Sequence, residues 1–183
     1  MHNLRKTVGI ALLSTLFACA FPILDVSAQT LNRVDNLSFG TIDFAGGTAT
    51  GNVTLGTNGT VNYSGNLDGA GYGTPGLIEL GGTVSNIIEI RCTSNATLSD
   101  GQGHTIGLNP LKISVSSGQT YTAATSCIDL DTTVLTHTLT GNSALDRVYL
   151  GGQLQTNGLS MLNAGFNTQN SGGSPATMRV VYQ

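Results

Sequence analysis

Short runs in which apolar and polar residues alternate are the feature that most restricts what this chain can fold into. Apolar residues take every second position in five runs, at 49–55, 88–92, 111–116, 135–140 and 177–182. A period of two puts one set of side chains on the buried face of a β-strand and the other set towards water. No segment keeps an apolar 3.6-residue stripe for three turns, and only 159–164 allows a single helical turn.

Turn-forming residues bound these runs. The pairs concerned are Gly46-Gly47, Asn58-Gly59, Asp100-Gly101, Gly141-Asn142 and Gly172-Gly173. Many short strands separated by such turns are typical of a β-sandwich or a β-barrel. A parallel α/β sheet is excluded because parallel neighbours need long crossover connections. The chain has no repeat of about 20–50 residues, which argues against solenoids and propellers.

The stretch richest in glycine and asparagine is 56–76. We expect it to form a hairpin around Val61 and Tyr63 followed by a loose loop, rather than a linker between two domains. The apolar faces of the strands should form one core. Its predicted members are Phe39, Val53, Ile88, Ile113, Leu139, Val180 and Tyr182.

The first 28 residues have the pattern of a secretory signal peptide. Arg5 and Lys6 precede an apolar run at 8–20, and small residues at 26–28 fit cleavage before Gln29. We therefore predict one domain at 29–183 with no transmembrane span. It would be secreted and reside in the periplasm, on the outer cell surface or in the medium.

Two other interpretations of this segment stay open. A transmembrane anchor would have to use 8–24, which Pro22 interrupts and which is at the short limit for crossing a bilayer. A lipoprotein would use Cys19, although bulky Phe17 lies two residues before it and apolar sequence continues after it.

Charge excludes two classes of partner. Only 9% of the residues are charged and the net charge is -3, whereas nucleic-acid binding needs a basic stripe and anionic membranes attract a polybasic patch. Lys112 is the only lysine after the predicted cleavage site. Because lysine protects strand edges against pairing with other chains, its scarcity favours an assembling protein.

Cys92 and Cys127 are the two cysteines that remain after cleavage. An even pair in an exported protein predicts a disulfide, which would stabilise the fold by about 3–4 kcal/mol in the chain-entropy model. The alternative is a metal site. It would require further ligands, and His104 and His137 have no zinc-like spacing with the cysteines.

Catalytic patterns are scarce. After the predicted signal peptide, His104 and His137 are the candidate catalytic bases. The chain has no G-x-S-x-G motif, which would hold a nucleophilic serine. It also has no tryptophan that could stack on a sugar. His137 falls on the inward phase of its run and is predicted to pack in the core, while His104 is predicted to lie in an exposed turn. We expect neither an enzyme nor a cofactor, and a secreted hydrolase is the remaining catalytic alternative.

Asp129 and Asp131 flank Leu130 on one face of a predicted strand. Two carboxylates so placed could bind calcium in an exported protein. No full oxygen-ligand loop accompanies them, so we interpret them as solvated acids and leave calcium binding as the alternative.

Several local motifs follow one another along the chain. They are Leu37-Ser38-Phe39-Gly40, Tyr149-Leu150-Gly151-Gly152-Gln153-Leu154 and Val180-Val181-Tyr182. Their order resembles a bacterial family of secreted domains of unknown function, with an L-x-F-G start, a late G-G-x-L strand and a final strand ending in tyrosine. That family resembles pilin-like sandwiches such as chaperone–usher fimbrial subunits and spore-coat U-type proteins. The resemblance implies an antiparallel immunoglobulin-like β-sandwich with a structural or adhesive role at the cell surface.

The pilin resemblance makes a further prediction that this sequence meets only in part. Fimbrial subunits lack one strand and receive an extended peptide from the next subunit. Here the segment before Leu37 is short, and Leu31 and Val34 do not alternate. Tyr182 matches the penultimate tyrosine of those subunits, but Asn170 stands where they usually have glycine.

Two functions remain in view at this point. The first is a non-catalytic fimbrial or surface-coat subunit whose partners are copies of itself or other assembly subunits. The second is a stand-alone secreted module that binds a glycan or another ligand through its loops, chiefly 56–76.

Overall fold

The computed structural model describes residues 29–45, 47–69, 73–117, 120–156, 159–160, 165–166 and 168–183. These residues form β-strands joined by turns and irregular segments, without a helix among them. The strands are β1 (Thr30–Asp35), β2 (Asp43–Phe44), β3 (Thr48–Ala49), β4 (Asn52–Leu55), β5 (Val61–Tyr63), β6 (Leu67–Asp68), β7 (Gly76–Gly81), β8 (Ile87–Cys92), β9 (Ala96–Ser99), β10 (Thr105–Ser117), β11 (Thr120–Tyr121), β12 (Thr125–Ser126), β13 (Leu135–Thr138), β14 (Asp146–Gln155), β15 (Leu159–Ser160) and β16 (Met178–Tyr182).

A nine-stranded sheet is built around the long antiparallel pair β10–β14. Along one side of β14, β7 pairs with its first half and β4 with its second half. β1 extends the sheet beyond β7, and β5 extends it beyond β4. On the other side of β10 lie the short strands β9, β11 and β12. This large sheet supplies the wide layer of the molecule.

A three-stranded sheet, in the order β13-β8-β16, forms the second layer. Alternation gives β8 a buried face of Ile88, Ile90 and Cys92, while Glu89 and Arg91 point outward. These apolar side chains belong to the same cluster as the inner residues of the large sheet, which include Leu80, Ile113 and Val148. The predicted antiparallel β-sandwich is therefore confirmed, and all its strand pairs in the described residues are antiparallel.

Two small two-stranded sheets complete the described structure. β2 pairs with β6, and β3 pairs with β15. The predicted hairpin around Val61 and Tyr63 is present as β4–β5. Leu159 and Ser160 lie in a strand, so the helical turn predicted at 159–164 is wrong at its start, because that start pairs with β3; 161–164 lie outside the described residues.

The predicted core is confirmed for five of its seven members. Phe39, Val53, Ile88, Ile113 and Leu139 are buried. Val180 and Tyr182 are only half-buried, although both pack against the core. They are less covered than predicted because β16 is an edge strand of its sheet.

The predicted signal peptide at 1–28 lies outside the described residues. Within the part of the chain that the structure describes, no helix is long and apolar enough to cross a membrane.

Candidate functional site

The two sheets of the sandwich have unequal width. Tyr182 on β16 donates a hydrogen bond to the carbonyl oxygen of Gly81 at the end of β7, at 3.3 Å, so β16 lies over β7. β1 lies one strand further out in the large sheet. Its inner side is incompletely covered, since Leu31, which is paired with the buried Leu80, is 51% exposed.

A groove runs through this uncovered space. Leu31 and Arg33 of β1 line one wall, and Thr177 and Met178 line the other. Its floor is formed by inward-facing residues of β7, β10 and β14: Ile78, Leu111 and Leu150. This part of the groove has a volume of about 270 Å³, and its lining is mostly aliphatic.

The groove continues into a larger cavity of about 870 Å³. The two spaces share Arg33 and the three floor residues. The larger one extends along the inner face of the large sheet to Leu108 and Leu154, and is also lined by residues of 35–44, 165–166, 168–169 and 175–176. Among the described residues, the three-stranded sheet thus covers only part of the large sheet, and other segments, β2 among them, lie over the rest.

β16 is an edge strand that begins at the groove, which Met178 lines, and part of its backbone is not used by the ladder with β8. Thr93 donates its N–H to the Thr177 carbonyl at 3.0 Å, and Gln183 donates to Ile87 at 3.0 Å. Because hydrogen-bonded and non-hydrogen-bonded pairs alternate in an antiparallel ladder, Arg179 and Val181 bond to β8 while the residues between them direct their backbone groups away from it. Those residues are Met178, Val180 and Tyr182.

His137 and Asp146 form a buried polar pair that joins the two sheets. Nε2 of His137 lies 2.9 Å from Oδ1 of Asp146, and the two side chains are 8% and 1% exposed. A carboxylate accepts only, so the imidazole is the donor. Thr140 donates its backbone N–H and its hydroxyl to Oδ2 of the same carboxylate, each at 2.9 Å.

The prediction that His137 faces the core is therefore confirmed, whereas sequence reasoning missed Asp146. The position of Asp146 at the start of an apolar strand only weakly indicated a buried partner for His137, because acidic residues are equally common in turns. The pair thus links β13 to β14 by a buried side-chain hydrogen bond.

His104 lies in the turn that joins β9 to β10. Its Nδ1 contacts the Asp100 carboxylate at 2.5 Å, and its side chain is 41% exposed. The backbone N–H groups of Gln102 and His104 donate to the same carboxylate. The exposed turn predicted for His104 is confirmed, and the structure places His104 and His137 on different elements.

The strand predicted for Asp129 and Asp131 is wrong, because the Asp129 carboxylate closes a turn between β12 and β13. It accepts backbone hydrogen bonds from Asp131 at 2.9 Å and Thr132 at 2.7 Å. Hydrogen bonds from Thr132 and Asp131 hold the pKa of Asp129 below its ordinary value. Asp131 is exposed. No group of three or more His, Cys, Asp or Glu side chains that could hold a metal occurs in the described ranges.

The predicted disulfide is confirmed. Cys92 at the end of β8 and Cys127 after β12 are joined by an S–S bond of 2.01 Å, with Cα atoms 5.1 Å apart. The bond links the three-stranded sheet to the large sheet. Both cysteines are buried.

These features define a disulfide-bridged all-β sandwich whose smaller sheet leaves an apolar groove beside its edge strand. A model of the family described as a domain of unknown function (DUF4402) matches residues 29–165, and the chain belongs to this family. The match includes β1 and the floor of the groove and ends before β16. No curated protein and no solved structure matches the chain.

Proposed function

We propose that this protein is a non-catalytic structural subunit of a bacterial surface assembly, exported from the cytoplasm and joined to copies of itself or to other subunits by strand addition. The observation that carries the proposal is the groove between β1 and β16. An extended segment of a partner fits there by its backbone and by its side chains. When a strand is added to an exposed sheet edge, its backbone hydrogen bonds provide affinity and its side chains provide specificity.

The backbone contribution would come from the edge of β16. Met178, Val180 and Tyr182 direct their N–H and C=O groups towards the space that the incoming strand would occupy. Alternate side chains of that strand would then point down onto Ile78 and Leu150. An added strand would complete the second layer opposite β1 and remove apolar surface from water, at roughly 25 cal/mol per Å².

Charge at this edge favours assembly as well. Arg179 is the only charged residue of β16, and its backbone groups belong to the ladder with β8. Natural sheets commonly protect a free edge with lysine, proline or a bulge. β16 contains neither lysine nor proline, and its pairing with β8 is regular from Met178 to Tyr182.

The resemblance to fimbrial and spore-coat proteins points to the same role. In this proposal the groove would serve as the acceptor that a strand-adding subunit needs, although the segment before Leu37 lacks the alternation of a fimbrial donor. The scarcity of charge on the chain suits close packing of many copies.

The test is a proline substitution that removes a backbone donor of the edge, although it also replaces a side chain that packs against the core. In Val180→Pro the lost N–H points away from β8, so the sheet should persist while strand addition is blocked. We expect the wild-type protein to form concentration-dependent oligomers in analytical ultracentrifugation, and the variant to remain monomeric with an unchanged circular dichroism spectrum.

Arg179→Pro is the matched control, since it removes the same chemical group one residue earlier, where the ladder with β8 uses it. This control should lower thermal stability, whereas Val180→Pro should not do so to a comparable degree. A wild-type protein that stays monomeric at all concentrations would contradict the proposal. Glycan binding by such a monomer would favour the stand-alone module instead.

A further inference from the structure

Two adjoining segments at one end of the sandwich carry exposed aliphatic side chains, and we call them together the tip. The first, 82–87, links β7 to β8 and includes the first residue of β8, and the second, 139–145, links β13 to β14. Val84, Ile87 and Leu145 of the tip are 59%, 44% and 39% exposed. They are three of the six large hydrophobic residues that are exposed in the described ranges, so the exposed apolar side chains are concentrated here.

Backbone hydrogen bonds join the two segments of the tip. Ser85 donates its N–H to the Leu139 carbonyl at 2.8 Å, and Leu139 donates its own N–H to the Asn86 carbonyl at 2.9 Å. A Cβ built on Gly141 would lie 3.2 Å from the Cβ of Val84, so the second segment packs against the first. Because these bonds satisfy backbone groups inside the tip, the aliphatic side chains protrude from a preformed surface.

The tip carries no charged side chain. Neither 82–87 nor 139–145 contains Asp, Glu, Lys or Arg, and Asp146, which follows the second segment, is only 1% exposed. The polar side chains of the tip are hydroxyls and amides, namely those of Thr83, Ser85, Asn86, Thr140, Asn142 and Ser143. Transfer of a charge into hydrocarbon is costly, whereas transfer of aliphatic surface out of water is favourable. The tip can therefore enter an apolar medium without burying a charge.

We propose that the tip inserts shallowly into the interface of a lipid leaflet, with Val84, Ile87 and Leu145 against the acyl chains and the hydroxyls and amides at the level of the headgroups. A lipid surface fits better than a second protein because the tip is small. It offers six residues from one segment and seven from the other, whereas a stable protein interface takes about 20–30 residues from each side. Insertion into a leaflet needs apolar area but no complementary partner surface.

The class of lipid follows from the charge of the chain. The tip has no basic residue and the net charge of the protein is -3, so nothing at this surface attracts anionic headgroups. We expect binding to vesicles of neutral phosphatidylcholine that is not strengthened by added phosphatidylglycerol. This contact goes beyond the proposed assembly and does not use the groove between β1 and β16.

The lack of tryptophan in the chain permits a position-specific test. The indole introduced by Val84→Trp would be the only one in the protein. Ile128→Trp is the matched control, because Ile128 is 54% exposed and is bridged to Thr93, beyond the end of β8 that is remote from the tip. Each variant is expressed with its predicted signal peptide, purified after export and mixed with phosphatidylcholine vesicles. We expect a blue shift of the emission and quenching by brominated acyl chains for Val84→Trp, and neither effect for Ile128→Trp.

Vesicle flotation measures the contribution of the aliphatic side chains without an added indole. The triple variant Val84→Ser/Ile87→Thr/Leu145→Ser should lower the partition coefficient by at least about tenfold, because each half-exposed aliphatic side chain contributes roughly fivefold. Ile128→Thr, which removes similar apolar surface elsewhere, should change the coefficient by less than about twofold. If the triple variant does not fold, Val84→Ser alone should still show a loss of roughly fivefold.

The proposal would be overturned if the wild-type protein did not float with phosphatidylcholine vesicles, or if Ile128→Thr lost as much binding as the tip variants. A blue shift of Val84→Trp that grew with protein concentration in the absence of lipid would also overturn it, since the tip would then contact another copy. Val180→Pro should leave the partition coefficient unchanged, so a failure of strand addition at β16 and a failure of lipid binding are distinguishable.

Discussion

At the scale of single residues, the most consequential finding is a carboxylate with almost no exposure. Asp146 accepts hydrogen bonds from His137 and from two groups of Thr140. Burial of a charge is unfavourable unless donors replace the lost water, and here three donors do so. The arrangement holds the turn at 140–146 against β13 and gives the imidazole a fixed orientation.

We predict that Asp146→Asn lowers the free energy of unfolding by about 2–4 kcal/mol, because a neutral amide has one acceptor oxygen in place of two and accepts more weakly than a carboxylate. His137→Gln is the matched control, since its amide can still donate to the carboxylate, and it should cost roughly half as much. Urea denaturation monitored by circular dichroism measures both. If Asp146→Asn were as stable as the wild type, the hydrogen bonds to the Asp146 carboxylate would not contribute to stability.

At the scale of the element, the structure divides one predicted strand into two. The alternating run 49–55 becomes β3 and β4, which belong to different sheets. The break lies at Gly51, whose φ is +147° and where an added Cβ would lie 2.1 Å from the carbonyl oxygen of Ser64. A side chain at this position would collide with backbone, so the glycine permits the chain to change sheets.

We predict that Gly51→Ala destabilises the protein by about 2–3 kcal/mol, as expected for a strained backbone conformation combined with a steric clash. Gly107→Ala is the control. Gly107 lies in β10, and a Cβ there would meet nothing within 4 Å, so this substitution should change stability by less than about 0.5 kcal/mol. Thermal unfolding measures the stability of both variants. Similar melting temperatures for Gly51→Ala and Gly107→Ala would contradict the prediction.

At the scale of the whole molecule, the two layers are joined by one covalent bond, by the apolar core and by the His137–Asp146 pair. The disulfide closes a loop with a sequence separation of 35 residues and links an edge region of the large sheet to the central strand of the small one. Cys92 is paired with Met178 of β16, so the bond lies beside the start of the groove edge.

We predict that the double variant Cys92→Ala/Cys127→Ala loses about 3–4 kcal/mol of stability, chiefly because its unfolded chain is no longer restricted. The native bond should also resist reducing agents until the protein unfolds, because both cysteines are buried. Non-reducing mass spectrometry and urea denaturation measure the two effects. A loss below about 1 kcal/mol would contradict the prediction.

The local alternation at Ile88, Ile113 and Leu139 was enough to predict strands, their buried faces and the all-β class, since side-chain direction in a strand depends only on sequence position. The bridge between Cys92 and Cys127 followed from their number and from the predicted export. The sequence did not indicate Asp146 as a partner of His137, because the eight intervening residues do not reveal which strands pack together.

What the sequence determined by itself was therefore local: the strands, their inward and outward faces, the turns and the pairing of Cys92 with Cys127. Only the tertiary structure decided that the second layer contains three strands, that β16 is at its edge and that the inner side of β1 is incompletely covered. The physical reason is that strand pairing depends on contacts between residues far apart in the chain. An edge strand and a central strand can have the same alternation, and only the arrangement of their neighbours distinguishes them.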